Sequence, residues 1–256
     1  MTDTYRRRAG LAVVLLALAS IVLAPLNALA RMRTDDGLPD YENPMAAWWA
    51  HPAMDLARPL LDWAPPDTVY ETYGKFYVFS ALAVIACALA VRSRRPERRG
   101  WAERWGWRIA LTAYALTAVS LFFTYWVANL DIVFLTVTIP SLLLSSVGNV
   151  LLGVGLIRGG FRPRLTGWVL AVELPMSIGL VAISTQALGM WPTMLAWGVA
   201  GWSLWRHYTS DPARDSTATI VMGTATTWAP SGAAPGDANA TADQQRYGEI
   251  PDQHTP

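Results

Sequence analysis

The chain has 256 residues, of which 53% are hydrophobic and only 15% are charged, and its formal net charge is +1. A soluble domain of this length carries about a quarter charged residues, so the composition argues against a soluble protein and gives no sign of a nucleic-acid partner. Because Cys87 is the only cysteine, an internal disulfide and a cysteine-based metal cluster are both excluded.

Six apolar segments follow one another along the chain, and five of them meet or approach the length that a bilayer requires. About 20 apolar residues in a helix cross a hydrocarbon core of roughly 30 Å, and backbone groups in that core must be satisfied within their own segment. The sequence therefore predicts an all-α fold, a polytopic bundle of about six transmembrane helices. The predicted spans are residues 10–30, 76–91 (extended if 69–75 are helical), 107–128, 132–157, 167–188 and the shorter 190–205.

Arginines mark every second connection between these predicted spans, whereas the other connections hold few or none. Basic segments stay in the cytoplasm, so the pattern predicts a multi-pass protein of the cell membrane with residues 1–9 and the C-terminus cytoplasmic. The second arginine group also fits contact with anionic lipid. The groups are Arg6, Arg7 and Arg8; Arg92, Arg94, Arg95, Arg98, Arg99, Arg104 and Arg108; Arg158, Arg162 and Arg164; and Arg206 and Arg214.

Tryptophans flank most of the predicted spans, as expected for rings that collect at the headgroup level. Six stand near predicted cytoplasmic ends and two near outer ends, so we interpret them as interfacial anchors. They are Trp101, Trp105, Trp107, Trp168, Trp202 and Trp205, and Trp126 and Trp191.

The first predicted span has an alternative interpretation. Basic residues 6–8, the apolar stretch and Ala28-Leu29-Ala30 correspond to the three regions of a secretory signal peptide. The apolar stretch is long for a signal peptide, which favours an uncleaved helix. Cleavage would leave five spans and an N-terminus outside.

The long predicted outer loop, 31–75, has four basic and eight acidic residues. Its segment 45–63 alternates apolar anchors with sparse polar residues, which predicts an interfacial helix on the outer leaflet, interrupted at Pro52 and Pro59. His51 and Asp55 are four residues apart and could share a metal, but two ligands do not make a site, and a solvated acidic loop is favoured. The tryptophans of this segment are Trp48, Trp49 and Trp63.

One ionisable residue, Glu173, lies well inside a predicted span, and such residues suggest a functional site. Asn149 lies at a comparable depth on the preceding antiparallel span, so the two side chains could hydrogen-bond. Pro175 loosens the backbone nearby, and Ser177 lies one turn further along. A carboxyl in this setting could bind a proton, a cation or an amine. The favoured interpretation is a structural glutamate, either buried and bonded to Asn149 or extended toward Arg162 or Arg164.

Small and polar residues recur at four-residue spacing on the fourth span. Ser141, Ser145, Asn149 and Gly153 share one helical face, which is how membrane helices approach closely and hydrogen-bond to one another. The same face could line a substrate path, but helix packing is favoured.

Residues 70–76 and 153–168 resemble those of small polytopic membrane proteins of actinobacterial type, for which no activity is assigned. The resemblance covers the membrane part and implies its topology only. Residues 207–256 contain few large apolar residues and are predicted to be a disordered cytoplasmic tail.

Three classes of function remain for such a chain. No phosphate-binding loop, catalytic triad or HExxH motif occurs, which favours a non-catalytic accessory or interaction protein without a cofactor, alone, as a homo-oligomer or with a membrane partner. The first alternative is a small transporter or permease subunit that uses Glu173. The second, with least support, is a membrane enzyme that uses acidic residues of the outer loop.

Overall fold

The structure is a computed structural model that describes residues 2–95, 100–127, 133–184 and 186–209. The described residues are almost wholly helical and contain no strand, as the sequence predicts. Predictions for Arg98 and Arg99, for the start of the fourth span at residue 132 and for the tail from residue 210 lie outside the described residues. Residues 207–209, predicted as the start of the tail, continue the last helix instead.

Within these residues the chain forms nine α-helices, and their order follows the predicted spans. α4 begins at Pro66, so residues 69–75 are helical and extend the second span. π-Helical turns at Phe123–Val127 and Phe134–Thr138 extend α5 and precede α6. The helices are α1 (Asp3–Arg31), α2 (Leu38–Glu42), α3 (Pro44–Leu61), α4 (Pro66–Arg92), α5 (Trp101–Phe122), α6 (Ile139–Arg158), α7 (Arg164–Ala171), α8 (Glu173–Ile183) and α9 (Trp191–Thr209).

Four helices of the described chain are long and apolar enough to cross a membrane. They are α1, α4, α5 with its π-turn, and α6 counted from Thr136. α7 and α8 add a fifth if the bent pair is one span. α9 is not among them, and its sequence includes four tryptophans, a proline, two glycines, Arg206 and His207.

The predicted fifth span, 167–188, is divided into two helices. α7 ends at Ala171, α8 begins at Glu173, and the two helices are bent by 62°. Pro175 accounts for the break, because it has no N–H to bond the carbonyl of Ala171 four residues earlier and its ring clashes with that carbonyl. α8 also ends at Ile183, short of residue 188.

Glycines bring the main helices into close contact. A Cβ on Gly10 of α1 would lie 2.7 Å from the carbonyl oxygen of Gly201 on α9. A Cβ on Gly148 of α6 would lie 2.6 Å from the backbone nitrogen of Ala110 on α5. These close approaches of the backbones allow dense packing between the helices.

Two tryptophans fill the centre of the bundle. Trp107 and Trp197 are 1% and 0% exposed, and their ring centroids lie 6.0 Å apart. The prediction of Trp107 as an interfacial anchor is therefore wrong, since its ring packs in the core and its indole N–H donates to Glu103 at 3.3 Å. Trp101, Trp105, Trp168 and Trp202 are exposed.

A buried ion pair lies at the end of the bundle where α1 begins and α4 ends, here called the arginine end. Arg95 donates to the two carboxylate oxygens of Glu103 at 2.8 and 2.9 Å, and also to the carbonyl of Gly159 at 3.3 Å. These contacts join the chain after α4 to the start of α5 and the end of α6. Arg95 is thus held by protein groups, and anionic-lipid contact stays a prediction for the rest of its group.

At the opposite end, α3 packs across the bundle. The predicted interruption at Pro52 and Pro59 is wrong, because α3 continues through both prolines. Both lie on its exposed face, where carbonyls left without a donor stay accessible, while the other face packs against the ends of α1 and α4. Its fully buried residues are Ala46, Ala50 and Leu61.

Candidate functional site

A cavity of about 620 Å³ lies between α6 and α8 and reaches the centre of the bundle. Its exposed lining residues, among them Leu142, Leu174 and Ile178, are apolar and belong to α6 or α8. The cavity therefore opens between these two helices, through an apolar border. Its volume falls within the roughly 300–1,000 Å³ that is usual for small-molecule sites.

The break between α7 and α8 creates this space. α7 packs closely on α6, whereas α8, beyond the 62° bend, contacts α6 much less. The residue that follows the break is Glu173, so the local effect of Pro175 both opens the cavity and places a carboxyl at its inner end.

Glu173 forms the polar end of the cavity. Its side chain lines the cavity although the residue is only 5% exposed. Asn149 on α6 donates from Nδ2 to Oε2 at 2.6 Å, and Thr193 on α9 donates from Oγ1 to Oε1 at 2.5 Å. The carboxyl thus connects three helices.

Asn149 extends this hydrogen-bond network to α5. Its side-chain carbonyl accepts a hydrogen bond from the hydroxyl of Tyr114, which in turn accepts one from the indole N–H of Trp197 at 3.0 Å. Asn149 Nδ2 also lies 3.3 Å from the hydroxyl of Ser145. Because Asn149 is completely buried, no water outside the bundle can replace these partners.

Every donor to the Glu173 carboxyl among the described residues is a neutral group. An ionised carboxylate in an apolar interior is costly unless a counter-charge accompanies it. The site can therefore keep a proton or accept a cation, and the cavity provides the route by which a cation could reach it.

The four residues predicted as an intramembrane polar site do not all meet. Glu173, Asn149 and Ser145 form one hydrogen-bonded group. Ser177 lines the cavity but lies outside that group, since its hydroxyl donates to the carbonyl of Gly189 at 2.8 Å.

His51 and Asp55 of α3 each have another neighbour. The His51 ring lies 4.5 Å from the ring of Tyr41, and Asp55 pairs with Arg58 at 3.1 Å. Among the described residues, no group of three side chains is arranged to hold a metal ion. The outer acidic residues therefore give no geometric support for a metal-dependent reaction.

The three tryptophans of the outer segment have different surroundings. Trp48 and Trp63 are exposed, as befits residues that contact a membrane interface. Trp49 instead donates its indole N–H to the carbonyl of Ile183 at 2.6 Å. Because Ile183 is the last residue of α8, this bond attaches α3 to the end of the helix that forms one wall of the cavity.

Sequence reasoning missed Tyr114, Thr193 and Trp197. Trp197 carried a usable signal, because it falls at the middle of a predicted span rather than near an end, and a buried indole N–H usually has a partner. Tyr114 and Thr193 are also hydrogen-bonding groups within or at the start of predicted spans, but spacing along the chain does not show that they face Asn149 and Glu173.

No protein-family model, no curated protein and no solved structure matches this chain. The resemblance to small polytopic proteins of actinobacterial type therefore stays a prediction.

Proposed function

We propose that the chain is a six-span protein of the cell membrane with both termini in the cytoplasm. The position of α9 supports the sixth span. Trp191 at its start donates to the carbonyl of Ser20 at 3.0 Å, and Gly201 lies beside Gly10. α9 thus runs antiparallel along much of α1, and a helix packed along a spanning helix lies in the same layer of the membrane.

The arginine end supports the orientation. Arg6 donates to Ser93 at 3.2 Å, and Arg95 reaches Gly159, so three of the basic segments gather at one end of the bundle. Basic segments stay in the cytoplasm. Ala28 and Leu29 are buried in the bundle, which supports a first helix that is retained.

Reporter fusions test this topology. Alkaline phosphatase, which is active only outside the cytoplasm, should be active when fused after Asp62 and inactive after Arg104 or Thr209. Green fluorescent protein should give the opposite pattern at the same positions. Phosphatase activity after Thr209 would exclude six spans with a cytoplasmic N-terminus.

Within this topology, the proposed function is non-catalytic binding of an apolar molecule that enters from the bilayer. One observation carries the proposal: a cavity of about 620 Å³ opens through apolar side chains of α6 and α8 and ends at a hydrogen-bonded carboxyl. In a six-span bundle, that border would face lipid tails, so a molecule dissolved in the bilayer could enter laterally.

Photolabelling in membrane vesicles tests the binding function. The probe is dodecanol with a diazirine in its chain, and the labelled positions are read by mass spectrometry of peptides. Leu142→Trp fills the cavity border, whereas Leu143→Trp adds the same side chain at an exposed neighbour outside the lining. We expect saturable labelling of α8 in the wild type and Leu143→Trp, and a several-fold loss in Leu142→Trp. Unsaturable, equal labelling of all three proteins would refute the proposal.

The broken α7–α8 span favours transport as a second candidate, because transporters place substrate sites at discontinuous helices. Uptake of the same class of molecule into proteoliposomes separates the two roles. Uptake that depends on an ion gradient and is lost in Glu173→Gln would favour transport, and binding without uptake would favour the first proposal.

A further inference from the structure

The polar end of the cavity indicates which apolar molecules it takes. We propose that the cavity binds lipophilic cations of the long-chain amine class, with the ammonium group on Glu173 and the chain in the opening between α6 and α8. This inference rests on the proposed binding function and adds to it the class of ligand.

The Glu173 carboxyl has free capacity for an ammonium group. A carboxylate offers about four acceptor positions, and the described donors, Asn149 and Thr193, take one at each oxygen. The carboxyl lines the cavity, and so does the hydroxyl-bearing Ser145 next to it. An ammonium group carries three donors, so it can be shared between the carboxylate and a neighbouring hydroxyl.

The charge of the site selects among possible head groups. The described lining of the cavity contains no lysine, arginine or histidine, and the known donors to Glu173 are neutral. A cation supplies the missing counter-charge, whereas a fatty-acid carboxylate would meet a like charge without a basic partner. A neutral alcohol can donate one hydrogen bond to the carboxylate but brings no counter-charge, so the cost of the buried charge remains.

The rest of the cavity fits an aliphatic chain. Leu142 and Ile178 border the opening from α6 and α8, and Val84 and Met194 line the interior. These side chains offer contacts to methylene groups, and the hydroxyls of Ser146 and Ser177, which also line the cavity, donate to backbone carbonyls. The head group would thus be fixed at one end while the chain leads toward the lipid.

Competition against the dodecanol photoprobe tests the inference. Dodecylamine, dodecanol and dodecanoate have the same chain length and are compared at equal mole fraction in the membrane, using the wild type, Glu173→Gln and Glu71→Gln. Glu71→Gln is the matched control, because it makes the same change at an exposed carboxyl outside the cavity lining. Because the ammonium group is a charged donor and the hydroxyl is a neutral one, we expect dodecylamine to displace the probe at a concentration about tenfold lower than dodecanol does in the wild type.

The outcomes separate this inference from the proposed function. The tenfold preference should persist in Glu71→Gln and disappear in Glu173→Gln. If dodecanol competes as well as dodecylamine in the wild type, the amine inference is overturned while apolar binding stands. If the probe binds nowhere in the cavity, both proposals are overturned. The wild-type comparison stands by itself, so a Glu173→Gln protein that does not fold leaves the inference testable.

Discussion

Replacing Asn149 with leucine removes the central hydrogen-bonding group of the bundle while keeping a side chain of similar size. Asn149 makes three bonds to other helices, to Tyr114 on α5, Glu173 on α8 and Thr193 on α9. Leucine makes none of them, so the main loss is of hydrogen bonds and the cavity left behind is small. The change should therefore destabilise the bundle through its polar network.

The size of the effect follows from the number of bonds. Hydrogen bonds between membrane helices contribute on average about 0.6 kcal/mol each, and at most about 1.7 kcal/mol. Three such bonds predict a loss of about 2–5 kcal/mol in the free energy of unfolding. The polar groups of Tyr114 and Glu173 that lose their partner stay buried, which favours the upper part of this range.

Unfolding in mixed micelles, followed by circular dichroism as the fraction of sodium dodecyl sulfate rises, measures this loss. Ser146→Ala on the same helix is the control, because the bond that Ser146 makes among the described residues stays within α6, to the carbonyl of Leu142 at 3.0 Å. That control should change stability by less than about 0.5 kcal/mol. If Asn149→Leu costs no more than Ser146→Ala, the network is not a structural centre and the reasoning fails.

Three other changes probe the packing and the retained first helix. Gly148→Leu should prevent folding, because even a Cβ would lie 2.6 Å from the backbone of α5. Gly179→Ala, with open space around it, should be tolerated. If both variants elute from size-exclusion chromatography in detergent as the wild type does, the close contact at Gly148 is refuted. Glu103→Gln leaves the charge of Arg95 without its carboxylate, and since Arg95 keeps 12% of its side chain exposed, the loss in unfolding free energy should lie near the lower end of roughly 3–5 kcal/mol. Replacing both partners by Met and Leu should cost less, and a larger cost for the double variant would count against a buried pair. An epitope tag fused to the N-terminus should remain on the membrane-inserted protein in an immunoblot. Its quantitative removal would show that the chain is cleaved after residues 1–30.

The positions of the long helices could be predicted because the bilayer sets both the length of the apolar segments and the side on which arginines stay. The break at Pro175 was visible in part, since the proline stands in the sequence. The bend that it causes could not be predicted, because the prolines within α3 leave that helix continuous, whereas Pro175 follows a 62° bend between α7 and α8. Packing around each proline decides between the two outcomes.

Only the part of the candidate site that lies on two consecutive helical segments could be predicted from the sequence. Asn149 and Glu173 lie at similar depth on consecutive segments, and their hydrogen bond is present in the structure. Thr193 and Trp197 come from α9, whose position beside α6 and α8 is a property of the assembled bundle. Glu103 precedes the predicted third span, which begins at residue 107, and nothing local in the sequence shows that α6 approaches it closely at Gly155.

A crystal structure grown from a lipidic mesophase that contains dodecylamine would test the central claim most directly. We expect density that begins at the Glu173 carboxylate and leaves the bundle between Leu142 on α6 and Ile178 on α8. A structure in which α8 packs along α6 and closes this space, or in which the amine lies elsewhere with the Glu173 site unfilled, would contradict it.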